Sequence, residues 1–280
     1  MIEMEDIRFG YRYHPVFDGL DLALAPGNIY GLLGLNGVGK STLLGLLGGL
    51  LFPQAGRIRV LGLEPCRRSP ELLSRIYMLS EMPHLPAVTD RQYISRIAPL
   101  YPEFDHEYLE RLLGELDIPR EQDLTSLSLG EQKKFHLAFG LACRPSILVL
   151  DEPTNGLDIP SKGLFRRLVA EALTEDRILI LATHQVKDVE LLIDRVLILH
   201  DGSFLCNRSL AGVSASLRFT QEASRPDPHS AGLLYTEPHL GGHAAVWAES
   251  NAGDGHPDLE LLFKAAIGNP AAFSRLARQE

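Results

Sequence analysis

The sequence predicts an α/β protein built on a mostly parallel central sheet, with an N-terminal antiparallel β part, an inserted helical subdomain and a small C-terminal appendage. Three observations predict it. Short apolar runs at residues 29–33, 147–150, 178–182 and 196–199 alternate with helical patterns, as strands covered by helices on both faces do. A glycine-rich turn joins the first run to a helix. Residues 89–143 keep helical spacing with no strand among them.

In chain order, residues 2–9 and 16–24 read as short strands, the second carrying Val16, Phe17, Leu20, Leu22 and Leu24 around a turn at Asp18-Gly19. The strand at 29–33 runs into the glycine-rich turn, and a helix follows from 41 to about 50. A further strand is expected at 76–79. In the helical insertion Tyr93, Ile97 and Leu100, then Leu109, Leu112, Leu113 and Leu116, recur at helical spacing. Helices over 162–173 and 186–193 separate the later strands. Past about residue 215 the composition shifts, with Pro226, Pro228, Pro238 and several glycines and histidines. A helix is expected at 258–267, where Leu259, Leu262, Phe263 and Ala266 make one apolar face and Gly268 and Pro270 stop it. The expected division is one domain over residues 1–215, with its helical subdomain at about 82–143, and an accessory region over 216–280.

In 280 residues, 27 Lys and Arg face 36 Asp and Glu, a net charge of −9, and 45% of residues are hydrophobic. That supplies a core for one large domain with an appendage. The acidic balance, with no run of Lys or Arg, lacks the basic stripe that phosphate-backbone binding needs, so no nucleic-acid partner is expected. Apolar stretches such as 43–52 and 178–182 fall short of the roughly 18 to 20 residues of a membrane span. The opening residues MIEMEDIRFG carry acids where a secretory signal places basic and then apolar residues. Cys66, Cys143 and Cys206 lie too far apart for a local metal site and fit free thiols in a reducing compartment. No repeat period emerges.

Residues 34–41, Gly-Leu-Asn-Gly-Val-Gly-Lys-Ser, match G-x-x-x-x-G-K-[ST] after a strand and at the opening of a helix. Gly34, Gly37 and Gly39 let backbone N–H groups, Asn36 among them, converge on an anion without Cβ obstruction. The helix points the positive end of its dipole at the same place. Lys40 adds a charge at the β- and γ-phosphates, Ser41 offers a hydroxyl to Mg²⁺, and Thr42 backs the α-phosphate side. The motif predicts ATP with Mg²⁺ as ligand and a P-loop NTPase as the fold.

The run at 147–150 ends in Asp151 and Glu152. Ligands of open α/β sheets bind outside the carboxyl ends of strands, which directs this pair towards the phosphate loop. Asp151 is then a metal-side carboxylate, and Glu152 polarises the water that attacks the γ-phosphate. Standing alone, the pair would read as a surface acidic pair at a strand end.

The ordered set resembles the nucleotide-binding subunits of ABC transporters, over roughly residues 2–215. Leu127-Ser128-Leu129-Gly130-Glu131 resembles that family's LSGGQ signature, although as a bare string it is also a helix cap with Ser128 at the N-cap and Glu131 three residues on. Asn155-Gly156-Leu157-Asp158 resembles the D-loop, and His184, after the strand at 178–182, resembles the switch histidine. Tyr11 resembles the aromatic that stacks on adenine, with Tyr13 as its competitor. Two departures stand out. Glu81 occupies the place of a glutamine that also faces the metal, and Leu129 and Glu131 replace two residues of GGQ. Glu81 still offers an oxygen to Mg²⁺ but adds negative charge beside a triphosphate.

The resemblance implies an ATPase that pairs head to tail, the signature of one subunit closing on the γ-phosphate held by the other. It implies a homodimer or paired ATPase subunit, a separate transmembrane permease contacted through the helical insertion, and a cytoplasmic place on the inner face of the cell membrane. The C-terminal appendage makes the chain most similar to exporter-type systems. Two rivals are a soluble ABC ATPase with a mechanical or regulatory role and a P-loop kinase. The first favours tandem cassettes, long coiled coils and basic surfaces, and the second lacks the signature and D-loop.

Overall fold

The computed structural model describes residues 1–249 and 257–276. The chain runs β1 (Ile2–Tyr11), β2 (His14–Leu24), β3 (Asn28–Leu33), α1 (Lys40–Leu47), β4 (Ala55–Val60), α2 (Pro70–Leu73), β5 (Ile76–Leu79), α3 (Asp90–Ile97), α4 (His106–Glu115), α5 (Leu129–Ala142) and β6 (Ile147–Asp151). It continues through α6 (Ile159–Ala172), β7 (Ile178–Thr183), α7 (Val186–Val189), β8 (Arg195–His200), β9 (Ser203–Ser209), α8 (Leu210–Ser216), β10 (Leu217–Glu222), β11 (Leu233–His239), β12 (Gly242–Ala248), α9 (Leu259–Gly268) and α10 (Pro270–Leu276). These fall into two compact units, one of Met1–Ile29 with Ser41–Thr183 and one of Tyr30–Lys40 with His184–Glu280. The chain passes between them inside β3, at Lys40–Ser41 and at Thr183–His184.

The first unit opens with an antiparallel sheet in the order β2-β1-β4. Ile2, Met4, Ile7, Leu20, Leu22 and Leu24 are buried while their sequence neighbours face out, the alternation of a half-covered sheet. The turn expected at Asp18-Gly19 is instead a bulge. Ile7 pairs with Leu20 and Arg8 with Asp18, so Gly19 is the extra residue, and its φ of +84° is open to glycine. Strands β5, β6 and β7 pair in parallel, and every residue of β6 and β7 is buried. Burial on both faces explains why these strands read as unbroken apolar runs.

The helical insertion holds α3, α4 and α5 with no strand among them. Its core is aromatic: Phe139, fully buried, meets the rings of Tyr93 and Phe104 at 5.1 Å each, and of Tyr77 on β5 at 6.0 Å. The buried Asp90 fixes the 120–121 segment by accepting from Arg120 Nε at 2.7 Å and from the Glu121 N–H at 3.1 Å.

In the second unit the 30–33 part of β3 pairs in parallel with β8, and β9 returns antiparallel to β8. A separate sheet follows in the order β10-β12-β11. Helix α9 buries Leu259, Leu262, Ala265 and Ala266, and packs Gly268 on the Tyr235 ring of β11. Its charged side ties it to neighbours: Lys264 bridges Glu237 and Glu260, and Glu260 reaches Lys187 on α7 at 2.9 Å. Gly268 ends α9 as expected, and Pro270 opens α10, the position where a missing N–H costs least. Helix α7 is one turn long rather than the expected eight residues. No described helix is long and apolar enough to cross a membrane. Cys66 is exposed, and Cys143 and Cys206 are buried.

Candidate nucleotide-binding site

The loop after β3 has the conformation its glycines permit. Gly37 and Gly39 sit at φ +78° and +108°, a region that side chains strain to enter. A Cβ on Gly34 would come within 2.7 Å of Val38 and 3.0 Å of the Leu199 carbonyl oxygen. Lys40 is buried, and its Nζ donates to the Gly34 and Leu35 carbonyls at 2.8 and 3.3 Å, which centres its charge on the loop. Asn36 lies at the exposed crest.

In the other unit, Ser41 Oγ donates to Asp151 Oδ2 at 2.7 Å, joining residues 110 positions apart. The two are hard oxygen donors side by side, the set that Mg²⁺ prefers alongside phosphate and water. Glu152, directly after β6, is buried and held at φ +45°. Its N–H donates to the Ala182 carbonyl at 2.8 Å, and its Oε2 accepts from Thr183 Oγ1 at 2.8 Å. A non-glycine residue with such a backbone marks a position over-determined by its surroundings. Tyr11 and Thr42 share a hydrogen bond of 3.3 Å between their hydroxyls, and the Tyr11 ring stands edge-on to Phe9 at 5.0 Å. Tyr13 is 93% exposed against 49% for Tyr11.

A family model described as ABC transporter matches residues 17–155. The ABC transporter ATP-binding protein YtrB of Bacillus subtilis (strain 168) is 30% identical over 204 residues, which cover 72% of this chain and 70% of that protein. The chain belongs to the ABC transporter ATP-binding family. The bacitracin transport ATP-binding protein BcrA of Bacillus licheniformis is 32% identical over 209 residues, 73% of this chain and 68% of that one. A solved ATP-binding subunit of an ABC transporter has the same fold, with a TM-score of 0.69 over 76% of this chain and 91% of that one, at 24% identity. The chain is thus an ATP-binding subunit of the ABC transporter class, a family of ATPases.

In this ABC ATPase the signature segment and the helix-cap reading describe one object. Ser128 is the N-cap of α5 in a complete capping box. The Glu131 N–H donates to Ser128 Oγ at 3.3 Å, while the Ser128 N–H and hydroxyl both donate to Glu131 Oε2 at 2.7 Å. These bonds hold the Glu131 carboxyl below the usual carboxylate range. Leu129 begins the helix and is 42% exposed. A Cβ on Gly130 would press to 3.3 Å of the Gly156 carbonyl oxygen, so the 127–131 and 155–158 segments approach closely where glycine gives room. Asp158 caps α6 by accepting from the Ser161 N–H at 2.7 Å.

Glu81 Oε1 accepts from Asn155 Nδ2 at 3.4 Å, which ties it to the D-loop. His184 follows β7 directly and is exposed. Two residues of the site escape the sequence reading. Thr183 looks like the end of an apolar strand, yet it holds the Glu152 carboxylate. Lys133 looks like a solvated helix lysine beside Lys134, yet it is 2% exposed.

Proposed function

We propose that this chain is the ATP-hydrolysing half of a transport machine whose other half is a separate transmembrane permease. The observation that carries the reading is the 2.7 Å bond between Ser41 and Asp151, which brings the phosphate loop's hydroxyl and the acidic strand end together. On this reading Gly34, Asn36, Gly37, Gly39 and Lys40 bind the β- and γ-phosphates, and Thr42 the α-phosphate side. Ser41 and Asp151, with Glu81 as a further oxygen, hold Mg²⁺, which supplies charge neutralisation on the phosphates when bound. Tyr11 stacks on adenine. Glu152, its carboxylate fixed by Thr183, orients and polarises the attacking water, and His184 bonds the γ-phosphate. Ser128, Gly130, Glu131 and Asp158 serve the nucleotide on a second ATPase subunit, a copy of this chain or a paired one.

The working unit on this reading is residues 1–215, with the 82–143 helices meeting the permease on the inner face of the cell membrane and 216–280 as accessory region. The capacity of the YtrB and BcrA relatives as ATP-binding transport proteins supports the pairing with a permease. The test is phosphate release from Mg·ATP by the full chain. Lys40→Ala is expected to weaken nucleotide binding and abolish release, because the phosphates lose a fixed charge in a buried loop. Equal affinity and rate in variant and parent would overturn the assignment.

A further inference from the structure

A lysine in a protein interior needs a reason, since burying an ammonium without partners costs several kcal/mol, of order 5. Lys133, on α5 five residues past the Ser128 cap, has its reason in the turn after β6. Its Nζ donates to the Glu152 carbonyl at 3.1 Å and to the Asn155 carbonyl at 2.9 Å. The Asn155 N–H also donates to the Glu152 carbonyl at 3.3 Å. One ammonium thus clamps both ends of a turn whose first residue is the left-handed Glu152. Asn155, gripped from the main chain, carries Glu81 on its side chain.

We propose that Lys133 is the positioning residue of the site, fixing the backbone of Glu152 and Asn155 from the helix that Ser128 caps. The inference rests on the reading of Glu152 as the residue that polarises water, and it adds a residue to which no motif assigns a role. Burial lowers the Lys133 ammonium from its ordinary value, and the charges of Glu81, Glu152 and Asp151, in that order, oppose the shift. The physical consequence is a rigid link: α5 presents Ser128 at its start and holds the catalytic turn about one and a half helical turns later.

The experiment compares the full-length parent with Lys133→Met and Lys133→Arg, each measured for ATP affinity and steady-state hydrolysis. A parent that binds but never hydrolyses Mg·ATP overturns the functional reading before any variant is compared. With an active parent, Lys133→Met is expected to lower kcat by about tenfold or more while KM moves less than about threefold, because the turn loses its alignment and the phosphate loop does not. Lys133→Arg restores part of kcat by keeping charge and donors. Parental kcat in Lys133→Met, or a kcat in Lys133→Arg no higher than in Lys133→Met, overturns the proposal. If Lys133→Met fails to fold, Lys133→Gln, which removes the charge but keeps an amide donor, takes its place, and parental kcat in that variant overturns the proposal.

Discussion

At the residue scale Glu81 carries a charge that its surroundings temper. Asn155 Nδ2 donates to it at 3.4 Å, and the Lys133 ammonium lies within its field. Replacing the carboxylate by an amide removes a residual repulsion of order 1 kcal/mol beside a triphosphate, so Glu81→Gln is expected to bind ATP several-fold tighter at low salt and less so at high salt. Titration of a fluorescent ATP analogue at two ionic strengths checks this, and equal affinities for parent and variant at both would place Glu81 away from the phosphates. Residues of the phosphate loop are legible in the sequence because each has a conformational or charge duty that few residue types fill. Thr183 and Lys133 are not, because their duties depend on partners 31 and 22 positions away and leave no local pattern.

Elements are legible where burial is uniform and illegible where it is mixed. Strands β6 and β7 announce themselves as apolar runs, whereas β10, β11 and β12 carry Thr, Gln, Glu and His between apolar residues in a sheet that is mostly half-buried. Helix α7 is shorter than its pattern suggests because Val189, Leu192 and Ile193 have helical spacing, yet the last two are buried from a turn. In the helical insertion α5 brings His136 against the aromatic cluster, its Nδ1 sharing a 2.9 Å hydrogen bond with the Tyr77 hydroxyl. Its Nε2 is buried without a partner among the described residues, so a charged ring would bury an unanswered N–H. Burial accordingly pushes the imidazole down to about 4 from 6.5. The unfolded chain then takes up a proton that the folded one refuses as pH falls from about 6.5 to 4, and folding loses up to about 3 kcal/mol over that window. His136→Gln keeps a partner for Tyr77 without titrating. Urea unfolding at about pH 7 and pH 4.5 is expected to show a smaller acid loss in the variant than in the parent, and equal losses would remove His136 as the cause.

For the whole molecule, the proposed head-to-tail pairing makes one site from sequences that no single chain brings together. Glu152→Gln keeps the Ser41 and Asp151 oxygens for Mg²⁺ but cannot take charge from the water, so the ATP-bound pair is expected to accumulate. Adding Ser128→Arg puts bulk and a cation at the start of α5 and leaves the phosphate loop of each chain untouched. Light scattering with and without Mg·ATP should find the single variant dimeric and the double variant monomeric, with ATP binding intact in both. A double variant that still pairs would remove the signature from the interface.

The capping box at Ser128 gives that pairing a threshold. Before any partner arrives, the Glu131 carboxylate already occupies the Ser128 N–H and hydroxyl, at 2.7 Å each, as a phosphate oxygen would. The carboxylate is a stand-in that keeps the helix start ordered and its donors answered. Closure on a partner's nucleotide is then an exchange of one oxyanion for another, not the filling of an empty cradle. A γ-phosphate, with more charge and more oxygens than a carboxylate, can displace the stand-in. On that pairing, a nucleotide without a γ-phosphate leaves the Glu131 carboxylate in place. On the proposed pairing, Glu131, where the resemblance expects a glutamine, is the group that an arriving γ-phosphate has to displace.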